Sequence, residues 1–121
     1  MGLLGHILSL KAGVPYEQLV KDRILNVLGM NDTRITLPDA LKARLAVGHN
    51  KSGHKINAPE LSEVIAGAGA FHSSATGLLK YLSSNIGLIH TKLDSDMQES
   101  HLIRHVLKSK IYHQIITAIW D

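Results

Sequence analysis

The stretch from Pro15 to Gly29 constrains this chain's fold more than any other. Pro15 is followed by Tyr16, Leu19, Val20, Ile24, Val27 and Leu28, and Gly29 closes the run. Apolar residues at three- and four-residue spacing mark one face of an α-helix. Proline suits a first helical turn, where its missing N–H has no partner to lose, and glycine accepts the left-handed conformation that ends helices. Glu17 and Lys21 stand four apart and are expected to pair on the surface. Such a helix must lay its apolar stripe against other elements. With 121 residues, those elements belong to one domain rather than two.

Residues 3–12 predict a further helix, with Leu3, Leu4, Ile7 and Leu8 on one stripe and Gly13 as its stop. Met30 to Leu37 is a polar turn followed by a short extended piece, and Pro38 opens a brief helix through Leu45. Residues 47–60 hold two glycines, two asparagines and a proline, the composition of a surface hairpin or loop. Gly67-Ala68-Gly69-Ala70 is a strip of small residues where backbones or a ligand can approach closely. Ser73 or Ser74 caps a helix expected to bury Leu78, Leu79 and Leu82 and to end near Asn85-Ile86-Gly87. Asp94 or Ser95 starts another, containing Met97 and Leu102. Ile111 to Trp120 is rich in β-branched residues and fits a strand. The chain is therefore mainly α, an α+β arrangement with a short hairpin and a C-terminal strand.

Composition removes several classes of function. The chain has no cysteine, which excludes a disulfide scaffold, a thiolate zinc site and a cysteine nucleophile among these residues. The longest apolar run, Val64 to Phe71, covers eight residues, whereas a membrane span needs roughly 20. The N-terminus lacks the basic start and small-residue cleavage site of a signal peptide, and His6 stands where a myristoylation signal wants Ser or Thr, so no targeting segment is expected. Thirteen Lys and Arg against ten Asp and Glu give a formal charge of +3. With aromatics at 4%, that small excess fits a mildly basic surface better than a nucleic-acid-binding face.

Four local patterns resemble sites, and each has a plainer explanation. Ser52-Gly53-His54-Lys55 has the Ser-x-x-Lys spacing of serine acyl-enzymes, where the two side chains stand one helical turn apart so that the amine takes the hydroxyl proton. Gly53, Asn57 and Pro59 argue against a helix there. Gly67-x-Gly69 has two glycines of a dinucleotide loop, but His72 occupies the place of the third, and close packing of a helix on a strand accounts for the pair better. His101 and His105 could share a helix face, yet no third metal ligand and no intervening Glu accompany them. Tyr16 to Arg34 could pass for a helix-turn-helix, but Asn31 to Leu37 is too short and β-branched for a recognition helix. No metal and no cofactor is expected.

The order of short blocks is more specific. Gly2-Leu3-Leu4-Gly5-His6 precedes Gly13-Val14-Pro15-Tyr16-Glu17-Gln18-Leu19-Val20, then Leu28-Gly29-Met30-Asn31-Asp32-Thr33 and Ala46-Val47-Gly48-His49. Gly67-Ala68-Gly69-Ala70-Phe71-His72-Ser73-Ser74-Ala75, Leu79-Lys80-Tyr81-Leu82 and Met97-Gln98-Glu99-Ser100-His101 follow. This series resembles the serine β-lactamase-like family of class C β-lactamases, D-alanyl-D-alanine carboxypeptidases and related esterases, and covers nearly the whole chain. The resemblance implies the middle of such an enzyme, the helical region of a β-lactamase-like fold, and a single partial domain over 1–121. Family members carry a nucleophilic Ser-x-x-Lys, a Tyr-x-Asn and a Lys-Thr-Gly or His-x-Gly. No Tyr-x-Asn, Lys-Thr-Gly or His-x-Gly occurs here, and the only Ser-x-x-Lys, at Ser52, lies in the wrong block.

The resemblance therefore carries over no catalytic residue and places Gly67, Ala68, Gly69 and Ala70 at the edge of the substrate cleft. It implies a truncated serine hydrolase, inactive alone, from a family that binds β-lactam, peptide or ester substrates and is often periplasmic or extracellular. An unpartnered strand at Ile111 to Trp120 is expected to cause self-association, by strand pairing or helix exchange. A standalone helical binding or scaffold domain is the alternative, and a basic nucleic-acid-binding module a weaker one.

Overall fold

The computed structural model describes residues 2–57 and 61–103. Helix α1 (Gly2–Ala12) leads through a glycine turn into α2 (Tyr16–Val20), which continues without a break into a π-helical turn (Lys21–Leu25) and α3 (Asn26–Leu28). The helix expected from Pro15 to Gly29 thus forms along its whole length, with one turn widened. There the Asn26 N–H donates to the Lys21 carbonyl, five residues back rather than four.

Gly29, at φ 63°, stops this run. Its N–H donates to the Asn26 carbonyl, and the Met30 N–H to the Leu25 carbonyl at 2.9 Å. This paired closure needs a left-handed residue, which glycine supplies without a Cβ penalty. Gly13 and Gly87 end α1 and α5 in the same manner.

The segment after Gly29 is irregular but firmly held. Arg34 and His72 exchange both backbone hydrogen bonds, at 3.0 and 2.8 Å, in an isolated antiparallel bridge. The Glu17 carboxylate accepts the N–H groups of Ile35, at 2.8 Å, and Thr36, at 3.1 Å. Glu17 therefore anchors the loop, and the expected pair with Lys21 does not form among the described residues.

Helix α4 (Asp39–Lys42) is shorter than expected, giving way to turns before Leu45. The anticipated hairpin is present as β1 (Gly48–His49) against β2 (Lys55–Ile56), antiparallel, with Gly48 opposite Ile56 and His49 opposite Lys55. A 3₁₀ helix (Glu63–Ala68) follows, then α5 (Ala75–Asn85) and α6 (Asp94–Ser100). Ser74 caps α5, its Oγ accepting from the Gly77 N–H at 3.1 Å. Leu102 lies beyond the end of α6, and the strand expected at Ile111 to Trp120 falls outside the described residues.

Leu25, Leu28, Met30 and Met97 form the buried centre, with Val20, Ile24, Phe71 and Leu93 packed against it. The long helices meet their neighbours through small residues. Helix α1 buries Gly2 and Gly5, while Leu3 and Leu10 stay 67% and 69% exposed. Helix α5 buries Gly77 and Ser84, and Lys80 between them reaches the Gly29 carbonyl at 2.6 Å. Leu78, Leu79 and Leu82, expected inside, therefore lie on the opposite, exposed face. The helical period fixes which residues share a face, not which face meets the core. No helix among the described residues is long and apolar enough to cross a membrane.

Candidate functional site

The Gly67–Ala70 strip forms the end of the 3₁₀ helix and the turn leaving it. Its near neighbour is the glycine face of α1. A Cβ at Gly5 would come within 3.2 Å of the Gly67 Cα and 3.0 Å of the Tyr16 ring, and one at Gly2 within 3.0 Å of the Ile65 Cα. Two helical backbones are thus in near-direct contact, so the partner of the strip is a helix and not the strand expected from sequence. The other end of the strip is open. Ala68 and Gly69 are exposed, and Gly69, at φ 135° with nothing within 4 Å of a built Cβ, turns the chain toward Phe71. The Phe71 ring packs on Tyr16, centroids 6.1 Å apart and tilted by 56°, which fixes the far end of the turn.

Beyond the strip lies a compact group of hydroxyls. Thr33 Oγ1 and Ser73 Oγ are 2.8 Å apart, and the Ser73 hydroxyl also donates to the Ser74 carbonyl at 3.3 Å. A Cβ on Gly77 would come within 2.8 Å of Ser73 Oγ, so this glycine is what lets the group close over the start of α5. The Thr33–Ser73 contact, the Arg34–His72 bridge and the Lys80–Gly29 bond together join the Leu28-Gly29-Met30-Asn31-Asp32-Thr33 block to the 72–80 segment. Sequence order alone did not show that these blocks interlock.

This arrangement offers backbone groups and hydroxyls but no assembled acyl-transfer centre. Such chemistry needs a nucleophile, a base and oxyanion donors converging within hydrogen-bond reach. Ser73 bonds only a threonine hydroxyl and a carbonyl among the described residues. Ser52 sits in the hairpin turn, its N–H donating to Asn50 Oδ1 at 3.0 Å, and Lys55 lies in β2, so the pair does not share a helix. Residues 31–37 form no recognition helix. His101 caps α6 and its Nε2 lies 3.2 Å from Asn85 Oδ1, while His105 falls outside the described residues. Among the described residues, no three His, Asp or Glu side chains gather as a metal site.

Comparison with known proteins agrees with the order of the blocks. The model of the beta-lactamase family matches residues 1–114. A beta-lactamase of Pseudomonas fluorescens is 27% identical over 105 residues, covering 87% of this chain and 28% of the relative. Among solved structures, a D-alanine carboxypeptidase from Burkholderia cenocepacia superposes with a TM-score of 0.75 at 27% identity, over 83% of this chain and 29% of that one. A beta-lactamase/D-alanine carboxypeptidase from Pseudomonas syringae gives 0.70 at 26% identity, over 79% and 27%. The chain thus spans under a third of the length of these relatives. The largely helical fold, with its single two-stranded hairpin among the described residues, corresponds to a helical portion of their structure. By the family match, the shared fold and the ordered blocks, this chain belongs to the beta-lactamase family.

Proposed function

We propose that these 121 residues are the central, helical part of a penicillin-recognising serine hydrolase domain and catalyse no hydrolysis by themselves. One observation carries this reading. The only Ser-x-x-Lys of the chain lies in an exposed hairpin, with Ser52 in the turn and Lys55 in a strand, where the amine cannot serve the hydroxyl as it would one helical turn away. The role left to the segment is positioning. Its interlocked helices support the exposed turn at Gly67, Ala68, Gly69 and Ala70, which borders the substrate cleft of the complete domain. The substrate of that domain is a β-lactam, a peptide or an ester, as the names of the relatives suggest.

The test is direct. The purified chain is assayed with nitrocefin and with a p-nitrophenyl ester, beside its Ser52→Ala variant. Hydrolysis no faster than buffer is expected for both proteins. Turnover that Ser52→Ala abolishes would overturn the assignment.

A further inference from the structure

We propose that the hairpin region, residues 42–56, docks on an anionic lipid surface. Between Ala40 and Pro59 the chain carries four Lys and Arg, two His and no Asp or Glu. The remainder holds nine Lys and Arg against ten Asp and Glu, and this segment, with residues 101–120 and their three Lys and Arg, is one of the two most basic stretches free of Asp and Glu. Every residue from Lys42 to Asn57 is exposed. Lys42 is paired with Asp39 at 3.5 Å and Arg44 with Asp32 at 3.1 Å, but among the described residues no carboxylate pairs with Lys51 or Lys55.

The cations are presented on a defined platform. Asn50 Oδ1 accepts the N–H groups of Ser52 and His54, at 3.0 and 2.9 Å, and the Asn50 N–H donates to the His54 carbonyl at 2.9 Å. This closes the turn, and the register sets His49 directly opposite Lys55 on one face of the ladder. A preformed loop loses little conformational freedom on binding.

Charge alone would suit any polyanion, and the neighbouring side chains make the distinction. Leu45 and Val47 stand exposed in the same segment, at 46% and 55%, and Val47, two residues before His49, shares the Lys55 face of the ladder, whereas Ile56 faces away with Gly48. Aliphatic groups next to lysines match a bilayer interface, where the apolar groups enter the headgroup boundary and the ammonium groups meet anionic lipid. Single-stranded nucleic acid is instead gripped by stacking on large aromatic rings, and residues 40–59 contain no Phe, Tyr or Trp.

The experiment is co-sedimentation of the 121-residue protein with vesicles of phosphatidylcholine alone or with about one-third phosphatidylglycerol. Binding to the phosphatidylglycerol vesicles only is expected, falling as salt rises. Lys51→Ala and Lys55→Ala should each weaken it about fivefold, and Val47→Ser should weaken it as well, with circular dichroism unchanged in all three because the side chains are exposed. Absence of binding, equal binding to the neutral vesicles, or binding indifferent to the lysine variants overturns the proposal. Binding that Val47→Ser leaves intact and that duplex DNA displaces would assign the segment to polyanions and overturn the lipid assignment.

Discussion

At the scale of single residues, a few polar side chains hold segments that no regular element connects. Glu17 is the clearest. It leaves α2 and receives two backbone N–H groups from Ile35 and Thr36, in a stretch without helix or strand of its own. The bonds are charge-assisted and the Ile35 contact is half-buried, so Glu17→Ala should cost about 1–2 kcal/mol. The expected signature is a lower urea midpoint, together with faster hydrogen exchange at the amides of Ile35 and Thr36. Glu17→Gln keeps an acceptor and should recover part of the loss. From sequence, Glu17 looked like half of a surface ion pair with Lys21. A carboxylate four residues from a lysine says nothing of the loop that folds back over it, because that loop becomes adjacent only through the tertiary fold.

At the scale of elements, helix α6 depends on a start built largely by one carboxylate. Asp94 accepts the Thr91 N–H at 2.7 Å and the Thr91 hydroxyl at 3.3 Å, and its other oxygen lies 2.8 Å from His90 Nδ1. The Thr91 hydroxyl in turn accepts from the Leu93 N–H at 3.1 Å, a reciprocal arrangement of the capping-box kind. The backbone hydrogen bond from Thr91, and next the contact with His90, hold the Asp94 carboxyl below the usual aspartate range. A lowered folded-state value stabilises the ionised form. Its contribution is present above the usual aspartate range and is lost as pH falls through the folded value. Protection of the Thr91 amide, its exchange rate relative to the intrinsic rate at the same pH, should accordingly fall in acid while remaining constant toward neutral pH. Asp94→Asn should remove that acid dependence.

The elements also show how far sequence pattern reaches. Pro15, the spaced apolar residues and Gly29 were sufficient for the central helix because caps and period are local properties. Gly13 and the Asn85-Ile86-Gly87 segment ended their helices as expected for the same reason. The widened turn at Lys21–Leu25 was invisible, since nothing in Lys-Asp-Arg-Ile-Leu departs from ordinary helical composition. The leucine face of α5 reads as the inward one because three leucines outweigh a glycine and a serine on any hydrophobicity count. The packing instead selected the face that lets backbones approach. Of the candidate site, the small-residue strip was legible, whereas the hydroxyl group around Gly77 required the fold to bring residues 33 and 73 together.

For the whole molecule, the orientation of α1 and α5 leaves much aliphatic surface uncovered. Leu3, Leu10, Leu79 and Leu88 are each at least 60% exposed. Large aliphatic side chains left uncovered in this number mark contact with further protein. We therefore expect the isolated chain to self-associate as concentration rises, with a growing mass in size-exclusion chromatography coupled to light scattering. Association driven by these leucines should persist in high salt, and Leu3→Glu with Leu79→Glu should return the protein to a monomer. A chain that stays monomeric at high concentration would remove this expectation.

The small residues turned inward carry a consequence for how this molecule tolerates change. In most domains the sensitive positions are large, and truncation damages them by leaving a void. Here Gly2, Gly5 and Gly77 impose an upper limit on size, since a single added methyl meets a neighbouring backbone atom, ring or hydroxyl at 2.8–3.0 Å. Saturation mutagenesis should therefore give an inverted profile along α1 and α5, with enlargement more costly at Gly2, Gly5 and Gly77 than exchange at the bulky exposed leucines. Sequence drift in such a segment is limited by steric room more than by oiliness.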